Sequence, residues 1–192
     1  LKVYAIPEGT RASKGRAIQN VIQIEPDDKV RAYINVRHLN DQEYINNNYI
    51  IMCTSQGVVK KTRLEAYSRP RQSGVNAINI REDDQLIDAV LTSGQAEILM
   101  ATHEGKAIRF NEKTVRPIGR TGTGVRGVTI EEGNKVVGMV CVEPDSDKDI
   151  LVLSENGYGK RTSLDDYRIT NRGGKGVKTL QVTDKTGRLI SI

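Results

Sequence analysis

Four glycines in matching surroundings recur along the chain: Gly15 in Ser13-Lys14-Gly15-Arg16, Gly74 in Gln72-Ser73-Gly74-Val75, Gly124 in Thr123-Gly124-Val125-Arg126 and Gly176 in Gly174-Lys175-Gly176-Val177. Their separations are 59, 50 and 52 residues. A fixed period of that size decides an architecture before any local preference does. After each of the first three comes an acidic or polar turn and then an apolar run, as in Pro26-Asp27-Asp28-Lys29-Val30, Glu82-Asp83-Asp84-Gln85-Leu86 and Glu132-Gly133-Asn134-Lys135-Val136. A second set of glycines keeps the same period. Gly57, Gly105 and Gly157 follow polar pairs (Ser55-Gln56, His103-Glu104, Glu155-Asn156) and read as hairpin turns between an apolar strand and a basic one. Four residues beyond each stands a cation, Lys61, Arg109 or Arg161.

Each unit holds several runs of four to seven residues rich in Val, Ile, Leu and Thr, bounded by Gly, Asp and Asn. No segment carries a sustained helical stripe. The chain is therefore all-β. Four short strands in about 50 residues is the size of a propeller blade, whereas β-helix repeats are shorter and immunoglobulin-like units longer. The expected organisation is a single repeat domain: a half unit over 1–15, repeats over 15–74, 74–124 and 124–176, and a half unit over 176–192, amounting to about four blades. The extra length of the first repeat falls between His38 and Asn48, which reads as an enlarged hairpin loop.

Composition narrows the function classes. At 192 residues, 37% hydrophobic and 28% charged, the chain can bury a core, which excludes disorder. The longest apolar stretch, Val136 to Val142, is far below the roughly 18 residues that span a bilayer, and the N-terminus lacks signal-peptide organisation. No membrane partner is expected. The absence of an initiator Met leads to the expectation of a piece of a longer protein. Cys53 and Cys141 sit in apolar runs without CxxC spacing and read as small buried thiols of a reducing compartment. With seven Tyr, one Phe and no Trp, aromatic stacking platforms are excluded.

The net charge of +5 is unevenly placed. The segments leading into the marker glycines carry cations and no acids: Arg11, Lys14 and Arg16; Arg69 and Arg71; Arg116, Arg120 and Arg126; Arg168, Arg172, Lys175 and Lys178. These are twelve of the 29 Lys and Arg, which leaves 17 cations against 24 acids elsewhere, a net of −7. A radial fold sets equivalent loops at one height on successive blades, making a cationic track suited to a polyphosphate backbone. The basic strands after the hairpin glycines, with Lys60, Lys61, Lys106, Arg109, Lys160 and Arg161, are candidates to widen it, although alternation points neighbours to opposite faces. Gly with Ser or Thr in three of the loops lets backbone N–H groups approach phosphates. No recognition helix, zinc-finger spacing or aromatic RNA-binding strand is present, so readout by backbone and deformability is expected.

Gly122-Thr123-Gly124-Val125-Arg126-Gly127 matches GxGxxG, but a dinucleotide site needs a strand before it and a helix after it, and Val128-Thr129-Ile130 reads as β. His38 and His103 stand without ligand or base partners and read as surface residues. The acidic clusters at Glu82 to Asp84 and Glu143 to Asp149 read as solvated turns rather than a metal site. No catalytic constellation emerges.

Several stretches, in order and at matching spacing, carry a family resemblance: Leu1-Lys2-Val3-Tyr4-Ala5-Ile6-Pro7-Glu8, Arg11-Ala12-Ser13-Lys14-Gly15-Arg16, Lys60-Lys61-Thr62, Thr92-Ser93-Gly94, Thr123-Gly124-Val125-Arg126-Gly127 and Asn156-Gly157-Tyr158-Gly159-Lys160-Arg161-Thr162. Together they resemble the C-terminal domains of bacterial DNA gyrase A subunits. The resemblance implies a six-bladed β-pinwheel, a propeller variant whose blades exchange strands and whose basic rim wraps duplex DNA. It further implies a cytoplasmic, ATP-dependent type II topoisomerase that introduces negative supercoils, a heterotetramer of A and B subunits in which the remainder of both is the partner of this stretch. ATP and Mg2+ are implied for that whole enzyme and no cofactor for this stretch. The family's DNA-cleaving tyrosine and ATP site are expected outside the chain, so none of the seven tyrosines takes that role. The family's box Gln-Arg-Arg-Gly-Gly-Lys-Gly is expected upstream; Arg172-Gly173-Gly174-Lys175-Gly176 repeats its last five residues in a later blade and reads as one more DNA-contacting loop. The rival readings are the homologous domain of topoisomerase IV and a protein-interaction propeller with an acidic partner.

Overall fold

A computed structural model describes all residues except 1, 23, 26 and 72. Of the motifs above, Leu1, Pro26 and Gln72 thus lie outside the described residues. Each hairpin glycine takes positive φ, +80° at Gly57, +73° at Gly105 and +80° at Gly157, a conformation that glycine adopts without the penalty of a Cβ. Its N–H closes the turn on the carbonyl of Thr54, Thr102 or Ser154. The three hairpins expected from sequence are therefore present: β1 (Tyr49–Thr54) with β2 (Val58–Arg63), then, after β3 (Leu86–Thr92), β4 (Glu97–Thr102) with β5 (Lys106–Asn111). After β6 (Val125–Arg126) and β7 (Val136–Val142) follow β8 (Asp149–Ser154) with β9 (Gly159–Ser163), and then β10 (Val177–Lys178) and β11 (Leu189–Ser191).

All pairings within the sheets are antiparallel, in the orders β3-β1-β2-β6, β10-β5-β4-β7 and β11-β8-β9. β6 and β10, which follow the marker glycines Gly124 and Gly176, close the sheets of the preceding hairpins: Val125 pairs with Val59, and Val177 with Ala107. A Cβ at Gly124 would stand 2.7 Å from the Val59 carbonyl, and one at Gly176 would stand 2.4 Å from the Ala107 carbonyl. Close strand approach therefore requires glycine at both marks. The strand exchange implied by the family resemblance is present. Residues 2–47 contribute no strand among the described residues, so three sheets stand where the periodicity gives about four blades.

Alternation along the strands builds the core. Ile51, Cys53 and Val59 of the first sheet meet Ile98, Met100, Ile108 and Phe110 of the second. On the second sheet's other face, Leu99, Ala101 and Ala107 meet Ile150, Val152, Leu164 and Leu189 of the third sheet and its following turn. Each fully buried Ile or Leu contributes about 1.5–3 kcal/mol relative to exposure. Of the two free thiols, Cys53 is buried as expected and burial pushes its titration far above the ordinary range, whereas Cys141 is half-buried at the residue level, with burial pushing it up to about 12.

One expectation is corrected. His38 to Asn48 is not a hairpin loop but contains a helix, α1 (Gln42–Asn47). The Asp41 carboxylate caps it by accepting from the Tyr44 N–H at 3.0 Å, and Ile45 is buried against Ile50, Met52 and Leu64. Six residues are too few for a helical stripe to register in the sequence.

Candidate nucleic-acid interface

The segments at Gly74, Gly124 and Gly176 run as loops tied to one another by a repeated set of bonds, which does not extend to the Arg11 to Arg16 segment among the described residues. Arg120 Nη1 donates to the Asn76 carbonyl at 3.3 Å; fifty-two positions later, Arg172 Nη1 donates to the Arg126 carbonyl at 3.0 Å. Each arginine lies four residues before its glycine and grips the carbonyl two residues after the preceding one. Backbone bonds repeat the relation: Asn79 N–H donates to the Gly122 carbonyl, and Thr129 N–H to the Gly174 carbonyl. The root of each loop is tied to the basic strand beneath it, Ile118 N–H donating to the Lys61 carbonyl and Thr170 N–H to that of Arg109. The basic loops at Gly74, Gly124 and Gly176 are thus held in a fixed relation.

The cations on these loops reach solvent. Arg11, Lys14, Arg16, Arg69, Arg71, Arg116, Arg126, Arg168, Lys175 and Lys178 are exposed, while Arg120 and Arg172, which clasp the neighbouring loop, are half-buried. Lys175 also pairs with Glu131 at 3.1 Å, and Lys106, half-buried, lies 3.8 Å from both Glu131 and Glu104. Lys160 and Arg161 on β9 are exposed, the latter paired with Asp149.

Three strand cations do not belong to the track. Lys60 is 0% exposed and its Nζ donates to the carbonyls of Ala77, at 2.6 Å, and Arg120. Lys61 is buried, with its Nζ 2.9 Å from Glu112 Oε1 and 4.2 Å from the centroid of the Tyr49 ring. Arg109 is buried, bonded to Glu97 and donating to the carbonyls of Leu164 at 2.7 Å and Tyr167 at 3.0 Å. The expectation that these three contact phosphates is corrected by their burial. β2 and β5 are covered on both faces by packed elements, the Ala77 and Arg120 backbones over Lys60, Glu112 over Lys61, and Leu164 and Tyr167 over Arg109, so a cation there must find its partners inside. The sequence signal was the mixture of apolar and basic residues within one strand. The loop clasp of Arg120 and Arg172 was missed, although their common spacing from the glycines was visible.

Around the GxGxxG match, Val125–Arg126 form β6 rather than opening a helix, which removes the dinucleotide geometry. His38 is exposed against the edge of Tyr44; His103 is half-buried rather than a surface residue, its backbone tied to Lys135 and Leu189. Among the described residues no group of three or more His, Cys, Asp or Glu could hold a metal ion, and no helix is long and apolar enough to cross a membrane.

The family described as DNA gyrase C-terminal domain, beta-propeller, matches residues 1–35, 48–93, 96–143 and 148–192. The chain belongs to the DNA gyrase A C-terminal domain family. It is 45% identical over all 192 residues to the DNA gyrase A subunit of Staphylococcus aureus (strain NCTC 8325 / PS 47), of which it covers 21%. The sequence of strain MRSA252 matches to the same extent. Among solved structures, the C-terminal domain of DNA topoisomerase IV superposes with a TM-score of 0.82 at 32% identity, over 92% of this chain and 53% of that one. A DNA gyrase A C-terminal domain gives 0.78 at 23% identity, over 92% and 57%. The chain thus spans about one-fifth of the curated gyrase subunits and about half of these solved domains.

Proposed function

We propose that the chain binds duplex DNA without sequence preference and bends it along its basic loops, acting as the wrapping module of a type II topoisomerase that introduces negative supercoils at the expense of ATP. The observation that carries this reading is the clasp of Arg120 on Asn76 and of Arg172 on Arg126, which fixes successive cationic loops in register. Bending 20 to 30 base pairs costs on the order of 1–6 kcal/mol, so evenly placed phosphate contacts must offset it. The module itself performs no chemistry; ATP and Mg2+ serve other parts of the enzyme, and the remaining portions of the A and B subunits are its partners in the cytoplasm.

The test is relaxation of circular DNA by a topoisomerase in the presence of the chain. A retained positive linking difference is expected; no shift despite binding reduces the reading to plain association. If all twelve loop cations meet phosphates, log affinity falls against log salt with a slope near about −11, and near about −5 if half do. A slope near zero, with an acidic protein competing better than DNA, would favour the protein-interaction reading. The likeness to the topoisomerase IV domain keeps that enzyme as the alternative parent, whereas identity across the full chain favours gyrase.

A further inference from the structure

Lys60 is a cation that the wrapping reading leaves unused. Its side chain lies between two of the basic loops: Nζ donates to the carbonyl of Ala77, just after the Gly74 mark, and to that of Arg120, just before the Gly124 mark. The Tyr67 hydroxyl donates to the same Ala77 carbonyl at 3.3 Å. Arg120 then turns its guanidinium to Asn76, next to Ala77. The two loops are thus joined by a closed circuit of Lys60, Ala77, Asn76 and Arg120. No carboxylate is hydrogen-bonded or ion-paired to the ammonium among the described residues; backbone carbonyls hold it. A buried charge met by dipoles alone is costly. Packing does not demand a cation at this point, because the equivalent position three residues after Gly105 is Ile108, which lies in the core.

We propose that Lys60 is a positioning residue for DNA, a buried tether that sets the Arg116 to Gly124 loop against the Asn76–Ala77 backbone just after the Gly74 mark and so fixes the spacing of the phosphate contacts on either side. The inference rests on the wrapping function proposed above. A phosphate held by these loops adds negative potential beside the ammonium and favours its charged form. The charge is open to such influence: burial first, and the Arg120 guanidinium second, push Lys60 down to about 8. The titratable and charged groups that face it are Arg120 on the later loop and Tyr67 on the 3-10 turn Leu64–Tyr67, and burial raises the Tyr67 hydroxyl. On the strands beside it, Met52 lies opposite Lys60 and carries no charge, while Arg126 of β6 stands opposite Val58, two positions along the same face, with its side chain exposed.

The experiment measures affinity for a duplex and the retained linking difference for the wild type, Lys60→Met and Lys60→Ile, each at pH 7 and 9.5, with circular dichroism to confirm folding. At pH 7 both variants are expected to bind roughly tenfold more weakly and to retain a smaller linking difference. The wild type is expected to lose affinity between pH 7 and 9.5 more steeply than either variant. Variants that match the wild type in affinity, linking difference and pH profile would overturn the tether. If neither variant folds, the wild-type pH profile decides alone, a flat profile overturning the proposal. A wild type that neither binds DNA nor shifts its linking number refutes the wrapping reading instead, and the two failures are thereby told apart.

Discussion

Lys61 Nζ lies 2.9 Å from Glu112 Oε1, a buried ion pair that joins the first sheet to the turn following the second hairpin. The same carboxylate accepts from Thr92 Oγ1 at 2.8 Å and, through its other oxygen, from the Ala96 N–H at 3.0 Å. Glu112→Ala strips the lysine of its counter-charge and two donors of their acceptor. Urea denaturation should show a drop in stability of about 3–5 kcal/mol. A drop below about 1 kcal/mol would mean that Lys61 reaches solvent.

Arg109 and Arg161 occupy equivalent positions four residues after their hairpin glycines, yet Arg109 is sealed between sheets and the Arg161 side chain is 78% exposed. Arg109→Met should therefore cost about 3–5 kcal/mol by leaving Glu97 buried and unpaired. Arg161→Met should cost less than about 1 kcal/mol, because an exposed pair is screened. Equal effects in thermal or chemical unfolding would contradict the burial described for Arg109.

Arg116 and Arg126 project their side chains into solvent from the clasped loops. Arg116→Glu and Arg126→Glu should weaken binding to unrelated duplexes by similar factors, and the salt slope should become shallower by about 0.9 for every phosphate that goes unneutralised. Fluorescence anisotropy over a salt series measures both. A weakening confined to one sequence would argue for base readout.

The depressed Lys60 titration has a sign that can be checked on stability. The folded amine titrates near 8 and an unfolded one near 10.5. Between those values the unfolded chain holds a proton that the folded chain has released, so rising pH favours the fold. Wild-type stability should accordingly gain on that of Lys60→Met from about pH 8 to 10.5 and run parallel to it below. Urea titrations at stepped pH follow the difference, and a gap that narrows or widens only below pH 8 would reverse the assignment.

Thr162 buries its hydroxyl without a hydrogen-bond partner among the described residues. Thr162→Val keeps the shape and removes the orphan, so it should stabilise by about 1 kcal/mol. A destabilised variant would reveal a bond formed in solution.

Much of the architecture was legible because it rests on backbone chemistry that only glycine allows. Gly57, Gly105 and Gly157 mark the hairpins, and Gly124 and Gly176 mark the points where a strand lies on its neighbour. Alternation within β4 likewise separates the two faces that build the core, and in β8 it turns Ile150 and Val152 inward and leaves Leu151 and Leu153 exposed. The site was only partly legible. A basic residue on a loop and one on a covered strand look alike in sequence, and only the packing of Ala77 and Arg120 over Lys60, of Glu112 over Lys61, and of Leu164 and Tyr167 over Arg109 shows that these three are buried. The helix α1 escaped because one capped turn, Asp41 to Tyr44, leaves no periodic trace.

The exchanged strands also bear on how the chain is made. The first sheet is closed by Val125 and Arg126, although its hairpin ends at Arg63. At about 5–20 residues per second, synthesis runs on for several seconds before that edge can be sealed. The second sheet waits in the same way for Val177. During each interval an inner strand offers its unpaired backbone to any neighbour, including another nascent copy on the same messenger. Slow translation between residues 63 and 125 would lengthen that exposure, so the yield of native protein should depend on the pace of elongation as well as on equilibrium stability.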